Sequence, residues 1–153
     1  MTRYEALQDT AYKEGLTVKE KPLLANDGRI RGKRIAIRND LPTTTEKACV
    51  LAEELGHHYT TAGDIMDQSD LSNLKQELRA RIWAYDYLIG LEGIIRAYEA
   101  GCHSRAEAAE YLGVTEDFLQ EAVEYYESKY GTMIRKGKYV VYFSPSLGVL
   151  AMK

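Results

Sequence analysis

At 153 residues the chain has the length of one domain and can bury roughly two thirds of the surface that its unfolded form exposes. Its two cysteines, Cys49 and Cys102, stand far apart without C-x-x-C spacing, so neither a disulfide framework nor a thiolate zinc site is suggested, and the composition suits a reducing cytoplasm. A formal charge of -3 argues against a protein mainly devoted to wrapping nucleic acid, no apolar run approaches the ~20 residues of a membrane span, and the N-terminus lacks the apolar core of a signal peptide.

Residues 3–14 read as a short helix and residues 16–21 as an extended stretch, after which Asn26-Asp27-Gly28 marks a turn. Arg34-Ile35-Ala36-Ile37-Arg38 alternates polar and apolar side chains, the period of a strand with one buried face. Arg29, Arg31, Lys33, Arg34 and Arg38 form a basic cluster, which is read as solvated protection of a strand near a sheet edge. Thr43 precedes Glu46 by three residues in a capping-box pattern, so a helix starts near Thr44 and buries the stripe Ala48, Leu51, Ala52 and Leu55. Gly63-Asp64 closes that segment, and residues 70–73 offer caps for a second long helix. This helix has two apolar stripes: Leu74, Leu78, Ile82, Tyr85 and Ile89 on one, and Ala80, Ala84 and Leu88, with Glu77, on the other.

Gly90 and Gly93 are expected to kink or end that helix, and Gly101 to close the next one as a left-handed residue. Ser104 with Glu107, and then Thr115, open two further helices separated by Gly113. Residues 104–128 therefore resemble a helix-turn-helix, but the second helix, with Glu116, Asp117, Glu121 and Glu124, is acidic where a phosphate-facing helix should be basic, so it is read as a packing unit. A hairpin turning at Lys136-Gly137 and a last short strand fill residues 133–152. The expectation is one α+β domain over residues 1–153, mainly helical with a small sheet.

The chemistry concentrates in Leu51-Ala52-Glu53-Glu54-Leu55-Gly56-His57-His58. Residues four apart on a helix lie one above the other, so Glu53 and His57 aim a carboxylate and an imidazole at one point, as a zinc ion requires. Glu54 projects beside them without ligating, where a general base must stand. This is the logic of H-E-x-x-H with Glu in the first position, and an antiparallel second helix can return Glu77 to the same centre. His58 points about 100° away and is assigned to packing, with a ligand role only if Glu53 turns aside. Tyr59 could polarise a carbonyl, although nothing selects it among twelve tyrosines, and His103 reads as a surface residue beside Ser104.

These blocks resemble the ImmA/IrrE metallopeptidases of phages, mobile elements and stress loci, whose pattern is a strand, an LAHELGHH helix, and a helix E-x-x-A-x-x-F-A-x-x-L-L. Here the second block is Glu77-Leu78-Arg79-Ala80-Arg81-Ile82-Trp83-Ala84, with Trp83 in place of Phe, and the resemblance covers roughly residues 30–125. It implies a zincin-like, gluzincin-type fold, His57 and Glu77 as zinc ligands with Glu53 in the position where the family has His, and Glu54 as the base. The extra carboxylate favours a harder metal, so manganese is an alternative to zinc. The resemblance further implies a cytoplasmic endopeptidase acting on a protein, a repressor-type transcription regulator, with neither direct nucleic acid nor membrane as partner. The alternative is a metallopeptidase fold that has lost turnover and regulates by binding protein.

Overall fold

The computed structural model describes residues 1–60 and 70–152. Their contacts fall into two compact units, Met1–Ala84 and Tyr85–Lys153, with the division inside a helix. The described residues form six helices and six strands, so the class is α+β, and the single small sheet expected from the sequence is replaced by two of three strands each.

In the first unit, α1 (Arg3–Lys13) begins with a complete capping box: the Glu5 backbone amide donates to Thr2 Oγ1, and the Thr2 backbone amide donates to the Glu5 carboxylate. Strands β1 (Thr17–Lys21), β2 (Gly28–Arg31) and β3 (Arg34–Arg38) form a sheet in the order β1-β3-β2, with β1 parallel and β2 antiparallel to β3. Strand β2, expected only as a turn ending at Gly28, joins β3 through the two-residue loop Gly32-Lys33, in which Gly32 takes a positive φ of 58°. Alternation sends Ile35 and Ile37 inward, 2% and 0% exposed, and leaves Arg34, Ala36 and Arg38 on the outer face.

Helix α2 (Thr44–Thr60) packs on the inner face against β2 and β3 and also against α1. Its start is as expected, with the Glu46 backbone amide donating to Thr43 Oγ1 at 3.1 Å. Ala48, Leu51, Ala52 and Leu55 are all completely buried. Fixing β1 to this core, Glu20 accepts from Lys47 of α2 at 2.7 Å and from the Tyr4 hydroxyl of α1 at 3.0 Å.

Helix α3 (Asp70–Leu88) already contains all four of the residues expected to cap it, and both the residue before it and the closure assigned to Gly63-Asp64 lie outside the described residues. Both stripes bury their C-terminal members, Ala80, Ala84 and Leu88 on one and Tyr85 and Ile89 on the other, whereas Leu74 and Leu78 near the start are 67% and 52% exposed. Ile89 then leaves the helical region and Gly90 takes a φ of 62°, so the break expected there separates α3 from α4 (Gly90–Glu99).

The second unit continues with α5 (Arg105–Leu112) and α6 (Glu116–Tyr130), then β4 (Met133–Lys136), β5 (Tyr139–Tyr142) and β6 (Gly148–Ala151) in an antiparallel sheet. The expected caps form here. Ser104 Oγ accepts from Glu107, Thr115 Oγ1 accepts from Phe118, and Gly113 and Gly101 adopt φ of 71° and 92°. Helix α6 buries Phe118, Leu119, Ala122, Val123 and Tyr126 and keeps Glu116, Asp117, Glu121 and Glu124 outside, as a packing helix does. Tyr126 is 1% exposed among Tyr125, Tyr130 and Phe143, and its hydroxyl donates to Asp86 at 2.9 Å.

Candidate active site

Two glycines decide how the first unit's elements meet. A methyl group on Gly56 would collide with the Ala80 carbonyl oxygen, so only glycine lets α2 lie against the backbone of α3 at that point. A methyl group on Gly28 would sit 3.0 Å from Glu54 Oε2 and even closer to Val50, so β2 also crosses α2 with no room for a side chain. Between these two close approaches lies a pocket of about 480 Å³ lined by Glu53, Glu54, His57 and Glu77 together with the Asn26 to Ile30 segment, Cys49 and Val50.

All four residues expected from the sequence therefore face one cavity, but they are not equivalent. His57 Nε2 lies 3.2 Å from Glu77 Oε1, joining α2 to α3 one turn from the Gly56 contact. Two ligands held about 2.0 Å from one tetrahedral ion stand about 3.3 Å apart, so this separation suits a shared cation as well as a hydrogen bond. Glu53 points its Oε1 to within 3.6 Å of Arg81 Nε, one turn beyond Glu77 on α3. Among the described residues no three His, Cys, Asp or Glu side chains come together as a complete metal site. The donor chemistry, one imidazole with carboxylates, is that of zinc and manganese centres. Two of the three positions fit a divalent cation, and the third is shared with an arginine.

Glu54 is the buried charge-bearing group of the site, 8% exposed. Its pKa is pushed up to about 8, first by burial, which penalises the ionised form, and then by the negative charges of Glu77 and Glu53. A carboxyl group held near neutrality in a cleft is suited to taking and returning protons.

The neighbouring residues fall outside this cluster. His58 turns to Glu14 at 3.4 Å, and Tyr59 stacks on Trp83 with ring centroids 4.9 Å apart, so the residue standing for the family's Phe packs against α2. The His103 backbone amide donates to the Glu107 carboxylate at a helix start, and Cys49 and Cys102 are both free thiols. Sequence reasoning missed Arg81, Gly28 and the β2 lining. Only the glycine following Asp27 hinted at the last of these, and it was read as a turn.

A helix carrying Glu-Glu-x-x-His beneath an edge strand, with a second helix returning a carboxylate, is a metallopeptidase-type arrangement. The chain belongs to the Peptidase_M78 family, described as IrrE N-terminal-like domain, which it matches over residues 11–124. That span includes α2, α3 and both of the blocks that carry the resemblance, and it stops within α6 before the second sheet. No curated protein matches the chain.

Proposed function

We propose that this pocket hydrolyses a peptide bond of a protein substrate, with Glu53, His57 and Glu77 as ligands of zinc or manganese and Glu54 as the general base. The observation that carries the reading is the buried Glu54 carboxyl beside the paired His57 and Glu77. When bound, a divalent cation would supply polarisation of the scissile carbonyl and a lowered pKa for the attacking water. Glu54 accepts the proton of that water and delivers it to the leaving amine. Burial first, and then the charges of Glu77 and Glu53, hold Glu54 protonated, so neutralising those two charges lowers its pKa part of the way and makes it a better base.

Strand β2 pairs on one side with β3 and lies at the sheet edge on the other, and its residues line the pocket, so an extended peptide can add alongside it through main-chain hydrogen bonds. By resemblance, the substrate is a repressor-type transcription regulator of a phage or mobile element, met in the cytoplasm. The fold this implies is zincin-like.

One observation favours the second reading, a protein-binding regulator without turnover: Arg81 already answers the charge of Glu53. Metal analysis and cleavage separate the two. The peptidase reading expects about one zinc or manganese per chain, lost in Glu77→Ala, and a Glu54→Gln variant that keeps the metal but leaves the co-expressed repressor intact. A wild-type chain that holds no metal at any pH, and whose biological effect survives Glu54→Ala, would establish the regulator instead.

A further inference from the structure

We infer that the outer face of the first unit's sheet is a binding surface for the phosphodiester backbone of double-stranded nucleic acid. Lys19 and Lys21 of β1, Arg29 and Arg31 of β2, Lys33 of the hairpin loop and Arg34 of β3 line a concavity of about 760 Å³, and among the described residues no acidic one lines it. All six are exposed, and among the described residues none of them takes part in an ion pair. A chain with net charge -3 thus gathers six of its twenty lysines and arginines on one small surface.

Protection of a sheet edge accounts for Lys19, Lys21, Arg29 and Arg31, which stand on the edge strands β1 and β2, but not for the whole cluster. β3 is the central strand, hydrogen-bonded on both sides, so Arg34 guards no edge. The register sets Arg34 directly opposite Arg31, a like-charge cross-strand pair that destabilises an isolated sheet. In the next row Ala36 lies between Lys19 and Arg29, and its short side chain leaves a floor between two cationic walls. Arg38, the other basic residue of β3, is instead neutralised by Asp27 and Asp40 at 3.3 and 2.9 Å.

Mixed lysine and arginine without fixed carboxylate partners suits phosphates, which bind such groups largely through charge. Among the described residues no aromatic side chain lines the face, so it offers no platform for unstacked bases and favours the backbone of a duplex over a single strand. The acidic outer side of α6 makes the helix-turn-helix-like segment the wrong place for such contacts. The inference is independent of the peptidase reading, because among the described residues that line this face only Arg29 also lines the Glu54 pocket.

The test is fluorescence anisotropy of the full chain with a labelled random-sequence duplex across a salt series. Binding at low salt is expected, with affinity falling at a log-log slope of about -4. Arg31→Ala with Arg34→Ala, and separately Lys19→Ala with Lys21→Ala, should each lower the slope by about 2 and weaken binding at least about tenfold. Lys129→Ala in the second unit should change neither, and circular dichroism confirms that every variant is folded. The inference is overturned if the duplex does not bind at low salt, or if both folded double variants bind like wild type. It is equally overturned if the matching single strand binds more tightly, or if a glutamate-rich peptide of equal charge displaces the duplex better than unlabelled duplex does, which would assign the face to an acidic protein.

Discussion

The two three-stranded sheets have the same size and opposite uses. In the first unit the sheet meets α2 through Gly28, where a side chain is missing, and the space so left holds the carboxylate of Glu54, in a pocket that Glu53 also lines. In the second unit the sheet supplies Phe143, just beyond β5, to a cluster of rings around Tyr126, whose buried hydroxyl has a carboxylate partner. One region leaves ionisable groups crowded in a cleft, and the other fills its interior with aromatic surface and satisfies the polar atom it buries. Substitutions at the ionisable groups of the first should therefore change charge behaviour and binding, whereas those in the ring cluster of the second should change stability alone.

The largest effect that sharpens this contrast is expected at Gly56. Gly56→Ala forces α2 away from the Ala80 backbone and should destabilise the protein by about 3 kcal/mol, read by urea unfolding. Gly148→Ala in the second sheet, where an added methyl group meets nothing within 4 Å, should stay within about 0.5 kcal/mol. Equal losses from the two would show that the close helix contact is not what holds the site together.

Next comes pH. The folded-state pKa of Glu54, about 8, lies above the ordinary 4.5, so between those values the native state holds a proton that the unfolded chain has released. In metal-free protein this contribution is favourable at low pH and is lost as pH rises through 8. Glu54→Gln should remove that slope and leave the protein about 2 kcal/mol more stable than wild type at pH 9, measured by denaturation midpoints across pH. Unchanged slopes would mean that the carboxyl is solvated after all.

In the aromatic region, Tyr126→Phe strands Asp86 without its 2.9 Å donor and should cost about 1 kcal/mol with no change in metal content or duplex binding. Smallest is Glu20, whose pKa is lowered chiefly by its hydrogen bond from Lys47. Its contribution is present above its unfolded pKa and fades as pH falls through the folded one. Because the group is partly exposed, Glu20→Gln should lose less than about 1 kcal/mol at pH 7, and nothing once the acid limb is passed.

Much of the architecture was legible because local chemistry wrote it. Thr43, Ser104, Thr115, Gly101 and Gly113 mark helix ends by satisfying or releasing particular backbone groups, and these signals need no tertiary partner. Strand β2 was not legible: four residues beginning with glycine carry too short a pattern, and its position is set by pairing with β3. How far along each stripe of α3 burial extends was likewise hidden. Periodicity defines faces, but packing decides that Leu74 and Leu78 stay exposed while Tyr85 and Ile89 of the same stripe are buried. Within the site, the spacing of Glu53, Glu54 and His57 follows from helical geometry and was readable, whereas the approach of Arg81 to Glu53 depends on the packing of two helices that no local pattern specifies.

The bare backbone at Gly28 makes this cleft tunable by shape instead of by charge. Every ionisable group could be kept in sequence while a single added methyl group presses on Val50 and on the Glu54 carboxylate and makes them move. Such a lever would displace the group at the heart of the cavity without altering the net charge of the chain.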